Sequence, residues 1–325
     1  MNNTSVKENP NKLDIVLSAS SIKTYKQCGL KFKFQKIDKA EVTHQPYHYG
    51  WVGTIVHNSI YYAFADYFDT KWHVNKLKNL DDVKKFFLDA WNGHVKLDVT
   101  KALVEEGELA TDKPIFKEGS IKEMKYIKLT DSEEERWKLL AWDLIKVGYV
   151  FVQDYLLKLT SDPVNDIKLE QEIKFPFDMN YDVIGYIDIL LNVKGKLFFF
   201  DLKTTKQPPQ SIDEDIQFYL YRYGLKYLNN LNYYPNGYYV HLRSKEWFPA
   251  KTVDQDILTK NHYQITSLIK GMEARDFTAN RTHLCNFCDY RGYCFGSHTY
   301  KSKQQEQKDL EDSIGLVTED SIETF

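Results

Sequence analysis

What this sequence has little of narrows it first. Its 325 residues contain only four cysteines, Cys28, Cys285, Cys288 and Cys294, too few for a disulfide-stapled secreted scaffold. No apolar run approaches the roughly 18 residues that cross a bilayer. The opening residues are polar and lack the apolar core of a secretory signal, so a soluble, intracellular protein is expected. No G-x-x-x-x-G-K-[ST] phosphate loop occurs, which removes an NTP-driven motor. Charge of one sign is also missing: 43 Lys and Arg against 46 Asp and Glu leave a net charge of -3. Any nucleic-acid site must therefore be a local patch rather than a general basic surface. What remains is enough chain for one large domain or two modest ones. Its 42% hydrophobic content and 15% aromatics are core material before they are anything else.

The most informative stretch is residues 184–205, IGYIDILLNVKGKLFFFDLKTT. Two apolar, strand-like runs flank Lys194-Gly195. The first carries Asp188; the second carries Asp201 and Lys203, which lie two apart and so share a face. Three charges in so apolar a hairpin are costly unless they pair with one another or bind a metal. On the residues alone, a buried salt bridge and a metal site are both open.

Around this hairpin the periodicities predict further elements. Ser20 or Ser21 can cap a helix that carries Ile22, Tyr25 and Cys28 on successive turns. Residues 53–68 read as a helix with Val56, Ile60, Ala63, Phe64 and Tyr67 inward and His57 one step off that face. A helix is expected near 83–95, and a longer one over 132–159 that Pro163 closes. The strand KLEQEIKFPF places Glu170 and Glu172 on one side. A helix over about 213–228 carries Gln217 and Tyr221 one turn apart. Asn236-Gly237 reads as a tight turn before a strand over 238–242. A second strand near 246–252 and a helix over 255–274 follow. From residue 132 to 242 the order is helix, three strands, helix, strand, an α/β (α+β) arrangement whose mixed sheet needs crossover helices. The sequence then reaches CNFCDYRGYC, a C-x2-C-x5-C spacing that suits a metal or cluster better than a disulfide.

Six motifs in this order resemble the RecB-like branch of the PD-(D/E)XK nuclease superfamily. They are the Ser/Tyr/Cys helix, G-x-x-x-H (Gly53, His57), G-x-I-D (Gly185, Asp188), D-x-K (Asp201, Lys203), Q-x-x-x-Y (Gln217, Tyr221) and the cysteine triplet. Gly29 stands where the family usually has Pro after the first Cys. The resemblance implies a restriction-endonuclease-like αβββαβ core. It implies Mg2+ or Mn2+ held by His57, Asp188, Asp201 and the Leu202 carbonyl, with Lys203 as catalytic lysine and Gln217 and Tyr221 lining the site. A strand glutamate is also implied, with Glu172 the better match and Glu170 the other. Cys28, Cys285, Cys288 and Cys294 would hold a [4Fe-4S] cluster, zinc being the alternative occupant.

The expected organisation is a flexible start (1–14), a helical region with the first cluster cysteine (15–131), the nuclease core (132–276), an iron-sulfur segment (277–299) and a polar tail (300–325). The implied activity is metal-dependent DNA hydrolysis, favouring exonuclease action on single-stranded ends, with a helicase or a recombination or adaptation protein as partner. A non-catalytic DNA-binding scaffold and an endonuclease are the alternatives.

Overall fold

The computed structural model describes residues 12–40, 48–68, 77–92, 130–178, 181–209, 212–250 and 254–294. The expectations for the polar tail and for most of 93–130 lie outside the described residues. Helices are α1 (Ala19–Gln27), α2 (Gly29–Phe32), α3 (His48–Phe68), α4 (Leu80–Trp91), α5 (Asp131–Val150), α6 (Pro163–Asp166), α7 (Ile216–Leu228) and α8 (Gln255–Glu273). Strands are β1 (Ile167–Pro176), β2 (Asp182–Val193), β3 (Lys196–Lys203), β4 (Asn236–His241) and β5 (Glu246–Pro249). By internal packing the chain divides into two units, Met1–Ser20 with Gln45–Ser267, and Ser21–His44 with Leu268–Phe325.

The first unit is built on one five-stranded sheet in the order β1-β2-β3-β4-β5. Only β3 and β4 run parallel; the other neighbours are antiparallel. The parallel pair needs a crossover, and α7 supplies it. The β2–β3 hairpin turns at Lys194 (φ 51°) and Gly195 (φ 81°), two left-handed residues as a tight hairpin turn requires. One face of the sheet offers Ile189, Leu191, Phe200, Leu202 and Val240 to α3 and α5. Val52, Ile55, Val56, Ile60, Ala63 and Phe64 of α3 recur at helical spacing and are all buried there. The α5 N-terminus is fixed by a reciprocal cap between Thr130 and Glu133.

Four expectations change in detail. Ser20 and Ser21 lie inside α1, which begins at Ala19. The helix expected over 83–95 starts earlier, at Leu80, because Asn79 caps it by accepting from Asp82 N–H. The helix expected over 132–159 passes at Phe151 into a π turn and then a 3-10 turn ending at Lys158, and Pro163 instead opens α6. Asn236-Gly237 is the start of β4 and not a turn. A Cβ at Gly237 would come within 2.2 Å of the Phe199 ring, so this glycine answers to close packing rather than to a bend.

Candidate active site

Where the first unit places its charged strand residues depends on how β2 and β3 part. Their antiparallel pairing ends at Ile189↔Phe200. Beyond that rung the Asp188 carboxylate takes the place of a backbone acceptor, and Leu202 N–H donates to its Oδ2 at 2.6 Å. The N–H and C=O of one strand residue point the same way, so the Leu202 carbonyl also faces β2. On the other side of β2, Asp188 stands across from Glu170: the β1–β2 register pairs Leu169 with Ile189 and Gln171 with Ile187. Glu170 itself adopts φ 47°, a left-handed conformation uncommon for a residue with a Cβ.

His57 enters from α3, its Nδ1 3.6 Å from Asp188 Oδ1. His57, Glu170 and Asp188 each present a ligand atom within 4.8 Å of the others, and all three are half-buried. Glu172, the glutamate preferred from sequence, is not among them. It is exposed, and its carboxylate accepts from Tyr186 OH at 2.8 Å. That preference is corrected: the strand glutamate beside His57 and Asp188 is Glu170.

Asp201 lies one strand further on and is almost fully buried, at 2% exposure. Lys203 Nζ sits 2.5 Å from its Oδ2, although no well-directed hydrogen bond reaches that oxygen. Its Oδ1 accepts from Gln217 Nε2 at 2.9 Å. Gln217 Nε2 also donates to Tyr221 OH at 2.9 Å, and that hydroxyl donates to the Tyr186 carbonyl. The i, i+4 pair on α7 thus braces both Asp201 and β2. Lys203 has two further supports that sequence reading missed. Its Nζ lies 5.1 Å from the Tyr239 ring centre, and Tyr239 OH donates to Asp215, the α7 cap, at 2.8 Å. Only the parallel β3–β4 register, which sets Asp201 beside Tyr239, could have signalled them.

The charges are unevenly compensated. Burial opposes ionisation of Asp188, but His57, Lys203 and the Leu202 N–H outweigh it and hold its carboxyl below the ordinary range. Burial and then Asp188 push Glu170 up to about 8. Burial raises Asp201 to about 6 despite Lys203, with Asp188 adding to the rise. Burial would lower His57, yet Asp188 first, with Glu170 and Asp201 behind it, raises it to about 9. Three carboxyl groups thus crowd a space where protons stand in for missing positive charge. One imidazole nitrogen with carboxylate oxygens is a donor set that Mg2+ accepts and Mn2+ accepts more readily.

The second unit gathers the cysteines. Cys28 caps α2, its Sγ accepting from Lys31 N–H at 3.4 Å, and Cys285 Sγ accepts from Thr282 N–H at 3.4 Å. Burial raises the Cys288 thiol; the Tyr290 N–H and Lys31 oppose that, and Cys28 and Cys285 reinforce it. Cys288 therefore lies near enough to Cys28 and Cys285 to feel their charge. The chain segments are also joined without any metal. Tyr25 OH donates to the Asp276 carbonyl at 2.7 Å, and Phe32 stacks on Phe277 at 6.3 Å. A Cβ at Gly29 would stand 3.0 Å from Phe277 Cα, which accounts for a glycine at that position.

Among the described residues no helix is long and apolar enough to cross a membrane. No curated protein matches the chain in sequence. Among solved structures it is similar to a candidate exonuclease from Eubacterium rectale, with 12% identity, TM-score 0.46, and 95% of this chain and 98% of that one covered. It is similar also to SSO0001 (17% identity, TM-score 0.30, 51% and 80% covered). A third is VC1899 from Vibrio cholerae (11% identity, TM-score 0.23, 73% and 59% covered). The family model of the PD-(D/E)XK nuclease superfamily matches residues 16–295, which take in the whole αβββαβ core, and the chain belongs to that superfamily.

Proposed function

We propose that this protein is a Mg2+- or Mn2+-dependent deoxyribonuclease of the RecB-like branch that degrades DNA from single-stranded ends. The observation that carries the reading is the convergence of His57, Glu170 and Asp188 within 4.8 Å, with Asp201 and Lys203 on the adjacent strand. His57, Glu170, Asp188 and Asp201 would hold the ion, with the Leu202 carbonyl as a further donor. A divalent ion supplies Lewis acidity toward the scissile phosphate and lowers the pKa of the attacking water. Lys203, kept cationic by Asp201 and Asp188 against its burial, orients that water and stabilises negative charge as it develops. Gln217 and Tyr221 hold Asp201 in place and line the site. Cys28, Cys285, Cys288 and Cys294 would carry a [4Fe-4S] cluster, joining the Ser21–His44 segment to the C-terminal one within the second unit. Unwinding of duplex DNA would fall to a partner, a helicase or a recombination or adaptation protein.

Incubation with linear and circular single strands plus Mn2+ tests the activity. Degradation of linear strands alone is the expected result. Cutting of circles would replace the exonuclease reading with an endonuclease one, and binding without cutting would make the protein a scaffold. Anaerobic purification with iron and sulfide analysis tests the cluster; stoichiometric zinc without sulfide would overturn it.

A further inference from the structure

We propose that His241 and Arg243 are positioning residues for Lys203. Backbone pairing between β3 and β4 ends at Lys203↔His241, with a last bond from Leu242 N–H to the Lys203 carbonyl at 2.9 Å. Past that point two side chains continue the ladder. Arg243 Nε donates to the Thr204 carbonyl at 2.8 Å. His241 Nε2 donates to the Thr205 carbonyl at 2.8 Å. A carbonyl can only accept, so Nε2 carries the proton, and Nδ1 accepts from Ser244 N–H at 3.3 Å. His241 is 1% exposed, so its ring has no freedom to release Thr205.

The clamped segment is where the lysine strand meets the histidine helix. A Cβ at Gly53, one turn before His57 on α3, would stand 3.2 Å from Thr204 Oγ1. Thr204 is therefore seated against α3 while Arg243 holds its carbonyl from β4. Three consecutive carbonyls, those of Lys203, Thr204 and Thr205, are each fixed by residues 241–243. The direction of the Lys203 side chain follows from that backbone. Without the clamp the strand end frays into the Thr204-Thr205 segment, and the ammonium loses its aim while the α3 and β2 ligands keep theirs.

This inference rests on Lys203 being the catalytic lysine. The test compares the full-length wild type with Lys203→Ala, His241→Leu, His241→Gln and Arg243→Lys. Each is assayed for cleavage of linear single strands in saturating Mn2+, Mn2+ affinity by calorimetry, and folding by circular dichroism. The glutamine amide offers an N–H at about the reach of imidazole Nε2; lysine keeps the charge of Arg243 but loses its in-plane Nε–H. A misplacement of about 1 Å costs on the order of 100-fold in rate. His241→Leu and Arg243→Lys are therefore expected to lower kcat by roughly 10- to 100-fold with KM and Mn2+ affinity within about threefold of wild type, and His241→Gln to recover most of the loss. Folded variants with unchanged kcat, losses shared equally by KM or Mn2+ affinity, or a glutamine no better than leucine would overturn the proposal. If His241→Leu fails to fold, Arg243→Lys decides alone. A wild type that cuts nothing, or a Lys203→Ala that cuts at full rate, overturns instead the lysine's role on which the proposal stands.

Discussion

Replacing Glu170 by glycine should make the protein more stable and inactive at once. Glu170 is a non-glycine residue at φ 47°, and a left-handed L-residue costs about 1–2 kcal/mol. Glycine removes that cost and returns about 0.4–1 kcal/mol of it through a freer unfolded chain. A net gain of about 1 kcal/mol remains, or about 2–4 °C in Tm for a unit of this size. A second gain depends on pH. Burial and Asp188 raise the Glu170 carboxyl from 4.5 to about 8. Between those values the unfolded chain ionises while the folded one resists, so stability falls as pH rises from about 4.5 to about 8. Removing the group restores what was lost, more at pH 8 than at pH 5. Glu170→Gln keeps the left-handed backbone and should show only this pH-dependent part. Melting curves must be taken in EDTA, because bound metal would stabilise the wild type by mass action. Both variants should lose Mn2+-dependent cleavage, and Glu172→Gln, at an exposed carboxylate that accepts from Tyr186, should keep it. A Glu170→Gly protein that melts below Glu170→Gln at pH 5, or that cleaves DNA at the wild-type rate, would refute the argument.

Four further outcomes follow from the same geometry. Mn2+ affinity, measured by calorimetry, should rise steeply between pH 7 and 9, because the metal must displace protons from His57 (about 9) and Glu170 (about 8). In the metal-free protein the raised His57 works the other way: the His57–Asp188 pair contributes fully below about pH 6.5 and is lost as pH climbs through about 9. Lys203→Ala should abolish cleavage with native circular dichroism but cost up to about 3 kcal/mol in urea unfolding at pH 8. It leaves Asp201 buried without its cation; Lys203 lowers the Asp201 carboxyl, so without it that carboxyl rises further, and the cost should shrink as pH falls and Asp201 takes up a proton. Gly237→Ala, which drives a methyl to within 2.2 Å of the Phe199 ring, should destabilise by about 1–3 kcal/mol with little change in Mn2+ affinity.

How much of this was legible beforehand divides along one physical line. Elements whose signal is local were readable: the apolar hairpin with its Lys194-Gly195 turn, the α3 stripe, and Gln217 with Tyr221 one turn apart on α7. Quantities set by pairing between strands were not. Glu170 and Glu172 share a face by alternation, and only the β1–β2 register tells them apart, by setting Glu170 across from Asp188 and Glu172 across from Tyr186. Nothing local marks Glu170 as left-handed; glutamate is not a residue that favours that conformation. His241, Arg243 and Tyr239 were invisible for the same reason, since their relation to Lys203 and its turn exists only through the β3–β4 register. Asn236-Gly237 misled in the opposite direction. A pair that ordinarily marks a turn is explained by the Phe199 ring, a contact 38 residues away in sequence.

Glu170, Asp188 and Asp201 crowd one place, and that is informative about why they persist. A strand glutamate in a left-handed conformation and three acids in mutual repulsion each cost stability. A sequence optimised for folding alone would replace them with apolar residues of similar size, as buried ion pairs elsewhere tolerate. The sheet around them does the reverse and is conventionally apolar: Ile189, Leu191, Phe200 and Leu202 are all buried. The acids that crowd the point where β2 and β3 part are thus supported by an ordinary core on the opposite face. A divalent cation at His57, Glu170 and Asp188 would turn the same repulsion into binding energy. The same repulsion then acts on both quantities: Glu170→Gln should add to stability at pH 8 and lower the affinity for Mn2+.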